Sequence, residues 1–204
     1  MSKQIQRPDL LLKPIILTTK RTVTGRKFKG GVPSFKKVRK QILDLLADTS
    51  AALVTTMIDY YGLPNDFPGV ASIPKGKALE RVGHLEAELA KTINSGRFLP
   101  YLALHEFEAL ILSDFSALAN VFPDRGKDIE RLRDLTRGKA PEDINTGPDT
   151  HPSALIRQML PEYQKNLHGS MALAHVSLST LRNKCPHFGQ WVTKIESLCN
   201  RPIH

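Results

Sequence analysis

Residues 51–58, with the sequence AALVTTMI, form a near-continuous apolar run that is rich in β-branched residues. Such a run is typical of a strand that is covered on both faces, as the central strands of parallel sheets are. The run stops at Asp59, and a loop rich in proline and glycine follows over residues 63–74. It therefore predicts an α/β fold that is built around a mostly parallel sheet.

Two further segments have the composition of strands. Residues 13–19 (KPIILTT) are enriched in β-branched residues, and residues 98–104 (FLPYLAL) form a second short apolar segment. Pro100 interrupts the latter, and proline inside a strand is confined to edges and bulges because it has no N–H to donate. We therefore expect this strand to be bulged or to lie at an edge.

Helical patterns separate the strands. Apolar residues recur at the helical period from residue 35 to about residue 48, with Ser34 as the expected N-cap, and again over residues 77–93. Residues 79, 82, 85, 89 and 93 are the expected inward positions of the second helix. Alternating strands and helices imply right-handed crossovers between parallel strands.

The remainder of the chain is helical in pattern, with short loops. Breaks occur at several prolines and glycines, and a last helix is predicted to follow residues 185–187 and to run to about residue 199. We therefore expect an α/β core over residues 1–122 and a helical extension packed on it over residues 123–204.

Length and composition exclude several classes of protein. No apolar run reaches the roughly 18 residues that a membrane-spanning helix needs, and the first eight residues contain no apolar signal-peptide region. Only Cys185 and Cys199 are present, too few for a disulfide framework. A cytoplasmic protein with no membrane partner is expected.

The net charge of +9 is concentrated at one end of the chain. Residues 1–50 hold twelve Lys and Arg against three acids, whereas residues 51–204 hold seventeen of each sign. A localised positive patch is typical of proteins that bind nucleic acid, although a solvated helix face with a basic loop gives the same pattern. The candidate nucleic-acid-binding residues are Lys20, Arg21, Arg26, Lys27, Lys29, Lys36, Lys37 and Lys40.

Acidic side chains follow two of the predicted strands. Asp59 closes the first, and Glu106 and Glu108 follow the second. Ligands of open parallel sheets bind at the carboxyl ends of the strands, and hard divalent ions such as Mg²⁺ or Mn²⁺ prefer carboxylate oxygens together with water. Asp59 and Glu106 are therefore the candidate catalytic residues, and these two with Glu108 are the candidate metal ligands.

Each of these residues also has a structural interpretation. Asp59 could cap the turn that follows it. Glu106 and Glu108 cannot both point to one place, because residues two positions apart on a helix face different directions. Glu108 could therefore pair with a basic side chain instead. His105 could bind metal or carry a proton, but a hydrogen-bonded position at the strand–helix junction is the favoured interpretation.

Other chemistry-bearing motifs are absent or incomplete. The chain has no P-loop, no G-x-G-x-x-G and no G-x-S-x-G nucleophile elbow. Cys185 and His187 lack a second pair at zinc-finger spacing, so a zinc site is rejected. The aromatic residues Tyr60, Tyr61 and Phe67 could stack on bases, although packing of their loop is the commoner use.

Several segments resemble a known bacterial family. The chain is similar to the family catalogued as domain of unknown function 4276 over almost its whole length. The similarity is carried by KFKGGV (residues 27–32), VTTMIDYYGLP (54–64), LHEFEAL (104–110), PEDIN (141–145), KNLHG (165–169) and CPHF (185–188).

This resemblance implies a TOPRIM-like fold, the metal-dependent module of topoisomerases, primases and related nucleases. Asp59 would follow the acid-bearing TOPRIM strand, and Tyr61 stands where an Asp-x-Asp motif has its second acid. Relatives begin with one more strand and a glutamate-bearing turn, and both are expected to be missing from this chain. Members are often encoded beside ATPases of the ABC or SMC kind, which implies an ATPase partner in phage defence.

Two functional hypotheses follow. The first is a TOPRIM-like, Mg²⁺- or Mn²⁺-dependent nuclease subunit, in which Asp59 and Glu106 hold the metal and the basic patch holds the phosphate backbone. The second is a non-catalytic subunit that binds nucleic acid or an acidic partner and is inactive without the N-terminal glutamate. Either could be a homo-oligomer.

Overall fold

The computed structural model describes residues 10–17, 34–104, 107–144 and 151–198. Contacts divide these residues into two compact units. We call residues 12–104 with 195–198 the strand unit, and residues 10–11 with 107–194 the helical unit. No helix in the described ranges is long and apolar enough to cross a membrane.

The strand unit is built on short parallel strands. β1 pairs with β3 and β2 pairs with β4, with Val54 opposite Phe98 and Ile58 opposite Leu102. This pairing confirms the predicted α/β class and the parallel arrangement. The strands are β1 (Val54–Thr55), β2 (Ile58–Asp59), β3 (Phe98–Leu99) and β4 (Leu102–Ala103).

The continuous strand predicted over residues 51–58 is wrong, because β1 and β2 are separate. Pro100 has no N–H for the ladder, and the side chain of Thr56 bonds to the backbone at this break. Thr56 Oγ1 accepts a hydrogen bond from the Tyr101 N–H at 2.9 Å and donates one to the Tyr101 carbonyl at 3.1 Å. The bulge expected at Pro100 is therefore an interruption of both strands.

Two helices cover the strands, with bounds close to those predicted. α1 (Phe35–Ala47) packs against β1 and against α2 (Ala78–Ile93), and α2 also packs against β3. The core that these elements share includes the buried side chains of Val38, Leu85 and Leu89. Leu79 is 47% exposed, so its predicted inward position is wrong. It lies in the first turn of α2, outside the stripe that contacts the core.

The cap of α1 differs from the prediction. Ser34 holds the N-cap position but makes no side-chain cap hydrogen bond. Instead, the Phe35 N–H donates to both carboxylate oxygens of Asp66, at 3.0 and 3.1 Å. The rings of Phe35 and Phe67 meet edge to face 5.4 Å apart. The loop that follows β2 is thereby attached to the start of α1.

The strand predicted over residues 13–19 is wrong for its described part, residues 13–17, which have no regular secondary structure. Ile15 and Ile16 are exposed, and Ile16 is 90% accessible. A strand requires a ladder partner, and the four described strands pair only with one another. β-branched composition alone did not provide that partner.

The helical unit contains seven helices in its described part. Its core is formed by buried residues such as Ile111, Leu118, Leu132 and Ile156. The helices are α3 (Glu108–Ile111), α4 (Phe115–Val121), α5 (Gly126–Leu135), α6 (Pro152–Met159), α7 (Ser170–His175), α8 (Leu178–Lys184) and α9 (Pro186–Leu198), of which residues 195–198 group with the strand unit.

The two compact units divide between residues 104 and 105, whereas the sequence placed a domain boundary at residue 122, which stays a prediction. The reason is that α3 packs against α6 and α7, and α4 packs against α5 and α7. Residues 107–122 therefore group with the later helices instead of with the strands.

Candidate functional site

Asp59 lies at the carboxyl end of β2, as predicted. It is opposite Ala103 of the parallel strand β4, and its side chain is exposed. A 3-10 turn, Tyr60–Gly62, follows directly, but the Asp59 side chain makes no cap hydrogen bond to it. The capping role that was the structural alternative for Asp59 is therefore wrong. The carboxylate stands at the edge where parallel sheets bind ligands.

Glu106 and His105 lie outside the described residues. In the chain they follow the end of β4 and Leu104. The predicted roles of Glu106 as catalytic residue and metal ligand, and of His105 at the junction, stay predictions.

Glu108 is held by a basic side chain. Its carboxylate is fully buried, and Oε2 lies 3.0 Å from the Lys165 ammonium, whose side chain is 39% exposed. The Tyr163 hydroxyl donates to Oε1 at 3.5 Å. A buried carboxylate needs such compensation for its lost hydration. The ion pair confirms the alternative in which Glu108 pairs with a cation, and it does not favour Glu108 as a metal ligand.

The surroundings of this ion pair are tightly packed. The Lys165 ammonium lies 5.0 Å from the ring centroid of Phe107. Lys165–Gly169 is a single π-helical turn, a form that is frequent at functional sites. A Cβ on Gly169 would lie 2.7 Å from both the Phe107 ring and the Tyr163 hydroxyl, so a larger residue there would require these side chains to shift. Sequence analysis missed Lys165 and Tyr163 as partners of Glu108.

Glu142 is a second buried carboxylate, 9% exposed. It accepts hydrogen bonds from the His187 N–H at 2.9 Å and from the Phe188 N–H at 3.0 Å, in the first turn of α9. Burial raises the pKa of Glu142, and the two backbone hydrogen bonds oppose that shift. Burial also raises the pKa of the Cys185 thiol to about 12. Cys185 is therefore not a ready nucleophile or metal ligand.

The basic patch is described only in part. Lys36, Lys37 and Lys40 are exposed on α1, on the side away from its buried stripe, and Lys40 pairs with Asp44 at 2.6 Å. The remaining candidates, Lys20, Arg21, Arg26, Lys27 and Lys29, lie outside the described residues.

The aromatic residues after β2 have different environments. Phe67 is buried in the core of the strand unit, which confirms the packing interpretation for that ring. Tyr60 is partly buried against the same core. Tyr61 is 62% exposed, and its ring meets that of Tyr60 at a centroid distance of 4.9 Å. Of the three, only Tyr61 presents most of its side chain to solvent.

The segments that carried the family resemblance contain these sites. A family model described as "Domain of unknown function (DUF4276)" matches residues 2–196. The chain belongs to the DUF4276 family. No curated protein and no solved structure matches it. The TOPRIM likeness stays a prediction.

In this DUF4276 protein, the segments of the helical unit that carry the family resemblance contact one another in pairs. Glu108, in residues 104–110, binds Lys165 of residues 165–169. Glu142, in residues 141–145, binds the backbone of residues 185–188. α3 packs against the 3-10 turn Pro141–Asp143 that carries Glu142. These motifs therefore build the interior of the helical unit.

The metal implied by the TOPRIM resemblance can be tested against the donor groups. In the described part of this DUF4276 chain, no three His, Cys, Asp or Glu side chains are grouped to hold an ion. Mg²⁺ is usually held through one or two carboxylates, with water and substrate phosphate completing the shell. The exposed carboxylate of Asp59 is a hard oxygen donor of that type, so its chemistry fits such an ion.

Proposed function

We propose that this DUF4276 protein is a divalent-metal-dependent subunit that acts on phosphodiester bonds, as a nuclease does. The observation that carries the proposal is the exposed Asp59 carboxylate at the carboxyl end of the parallel pair of β2 and β4. Ligands of parallel sheets bind at this edge, and carboxylates there can hold Mg²⁺ or Mn²⁺. The bound ion would polarise the phosphodiester and generate the attacking hydroxide.

Side chains of the protein would bind the ion and the substrate. Asp59 and Glu106 would supply carboxylate oxygens to the ion. The cations of α1 and of residues 20–29 would bind the phosphate backbone and orient the substrate. Exposed lysines such as Lys36 and Lys37 suit this task because phosphate contacts need charge rather than shape.

The test is nicking of supercoiled plasmid DNA with Mg²⁺ or Mn²⁺. We expect Asp59→Asn and Glu106→Gln to lower the cleavage rate at least about 100-fold, because each removes a charged oxygen donor and keeps the side-chain volume. Asp124→Asn is the matched control, since Asp124 is an exposed aspartate of a 3-10 turn in the helical unit. Cleavage that is the same in the native chain and in Asp59→Asn would contradict the proposal.

The TOPRIM-like fold, an ATPase partner of the ABC or SMC kind, a role in phage defence and a cytoplasmic location rest on the family resemblance or on composition. They are parts of the same proposal. The partner is tested by co-expression with an ATPase of the ABC or SMC kind from the same genome and co-purification through a tag on that ATPase. Separate elution of the two proteins would remove the ATPase from the proposal.

The second candidate function is a non-catalytic subunit that binds nucleic acid or an acidic partner. The observation that favours it is the exposed basic face of α1, because binding of a polyanion to such a face requires no metal. It predicts polyanion binding that falls steeply with salt and is unchanged by chelation of divalent ions. Turnover that depends on Asp59 would exclude this candidate.

A further inference from the structure

The surface around Asp59 also displays an aromatic ring. Tyr61 follows Asp59 by two residues and is the most exposed large aromatic side chain of the described residues. Its ring packs edge to face on Tyr60, with 63° between the planes, and Tyr60 packs on the core of the strand unit. The exposed ring of Tyr61 therefore rests on a partly buried neighbour, and most of its side chain is accessible to solvent.

The same loop leads to the basic helix. Residues 61 and 66 are five positions apart, so their Cα atoms are at most about 18 Å apart. Asp66 binds the Phe35 N–H at 3.0 Å, and Lys36 and Lys37 follow Phe35 on α1. One short stretch of nucleic acid could therefore contact the lysines of α1 and also reach Tyr61. Binding sites of this kind cover about 4–16 nucleotides.

We infer that the ligand of this surface is single-stranded nucleic acid, with one base stacked on Tyr61 beside Asp59. The inference rests on the proposed phosphodiester-acting function and names its substrate class. An exposed aromatic ring beside a cationic track is the combination that binds single strands without sequence preference. In a duplex the faces of the bases are occupied by neighbouring bases, so the ring has no base to stack on.

This use of Tyr61 explains a position where the TOPRIM comparison expects an acid. A second carboxylate there would be a further oxygen donor for a metal ion. The ring of Tyr61 instead offers a face on which a base can stack. Met57, which is 46% exposed, and Asp59 flank the buried Ile58. The exposed surface on either side of the acid is thus apolar and aromatic, which suits a nucleoside.

The test measures binding without cleavage. Fluorescence anisotropy with a labelled single-stranded DNA of about 12 nucleotides is recorded in EDTA, beside a duplex of the same length and a single strand with abasic central positions. The intact single strand should bind more tightly than the duplex or the abasic strand. Tyr61→Ala should weaken the affinity for the intact single strand about 5- to 100-fold, the range of one base–aromatic stack, and Tyr61→Phe should keep most of that affinity.

Two further variants distinguish the loss of base stacking from a general loss of apolar surface and from misfolding. Leu79→Ala removes an exposed apolar side chain of the same unit and should leave binding unchanged. Tyr61→Trp should bind at least as tightly, and its additional fluorescence should be quenched by the single strand but not by the abasic strand. Equal affinity of Tyr61→Ala and the native chain, or equal binding of the abasic strand, would overturn the inference.

The outcomes separate this inference from the proposed function. Binding in EDTA that depends on Tyr61, without any metal-dependent nicking, would keep the single-strand site and remove the nuclease. Nicking that depends on Asp59 with no effect of Tyr61→Ala on affinity would keep the nuclease and remove the stacking site.

Discussion

At the scale of single residues, the two buried carboxylates show how differently a glutamate can be satisfied. Glu108 is compensated by the half-exposed cation Lys165, and Glu142 by backbone N–H groups of α9. Both are almost fully removed from water. Because a buried charge is expensive unless it is paired, the partners of both residues should matter for stability.

Lys165→Met tests the first of these. Removal of the cation leaves the Glu108 carboxylate buried without its counter-charge. We expect a loss of about 2 kcal/mol in the free energy of unfolding, below the full value for a buried pair because water partly screens Lys165. Urea denaturation measures it. Glu108→Gln combined with Lys165→Met should recover most of the loss, since no charge is then left buried.

The exposed pair Lys40–Asp44 is the matched control for this effect. Both of its side chains are well solvated, so Lys40→Met should change the free energy of unfolding by less than about 0.5 kcal/mol. Equal losses for Lys40→Met and Lys165→Met would contradict the importance of burial.

Glu142 should make stability depend on pH. Burial raises its pKa in the folded state above the ordinary glutamate value of 4.5. Between these two values the folded chain binds more protons than the unfolded chain, so stability falls as the pH rises. Relative to Glu142→Gln, the native chain should therefore lose stability as the pH rises above the ordinary glutamate value towards the raised pKa of the folded state. Urea denaturation at several pH values checks this, and an opposite slope would show that the backbone hydrogen bonds dominate.

At the scale of elements, the bounds of α1 follow from its local sequence, whereas the hydrogen bond that caps its start comes from a residue far away along the chain. The apolar period and Pro33-Ser34 predicted its start within one residue. The hydrogen bond that caps it comes from Asp66, which lies 31 positions away along the chain. No local pattern marks this aspartate among the other loop residues.

Asp66→Ala should therefore destabilise the protein although Asp66 lies in a loop. We expect a loss of about 1 kcal/mol in the free energy of unfolding, the usual cost of removing a side-chain cap. Ser34→Ala is the control, because Ser34 makes no cap hydrogen bond and its removal should cost close to nothing. A larger loss for Ser34→Ala than for Asp66→Ala in thermal or urea unfolding would contradict the assignment.

The strands show the opposite case, in which the type of element was predicted but its continuity was not. The apolar run over residues 51–58 correctly indicated parallel pairing. The expected coverage on both faces is wrong, because buried positions alternate with partly or fully exposed ones such as Met57. The run could not reveal the break at Thr56, because the cause lies in the partner strand, where Pro100 lacks an N–H and Tyr101 bonds to the threonine hydroxyl. Residues 13–17 likewise have strand composition but no described ladder partner.

At the scale of the whole molecule, the charge is segregated along the chain. All of the net charge of +9 belongs to residues 1–50. Replacing Lys20, Arg21, Arg26, Lys27 and Lys29 by Gln should weaken polyanion binding and flatten its salt dependence. The slope of log K against log salt should fall by about 0.7–0.9 for each phosphate group that the variant no longer neutralises.

The matched control replaces five exposed lysines from the neutral remainder of the chain. Lys75, Lys77, Lys127, Lys139 and Lys184 serve, because their removal changes the net charge by the same amount. Equal slopes for the two five-fold variants, measured by anisotropy at several salt concentrations, would show that only total charge matters and not its position.

Hydrophobic periodicity in the amino-acid sequence established the α/β class, the parallel strands, the extents of α1, α2 and α9, and the acid at the end of β2. These features follow from short-range regularities, since the period of apolar residues encodes which face is buried. Three-dimensional packing decided the partners: Lys165 for Glu108, Asp66 for α1, the backbone of α9 for Glu142, and the assignment of α3 and α4 to the helical unit. Such contacts join residues 31 to 57 positions apart, as Asp66 with Phe35 and Glu108 with Lys165 illustrate. Their formation depends on the folded path of the whole chain, which local composition does not record.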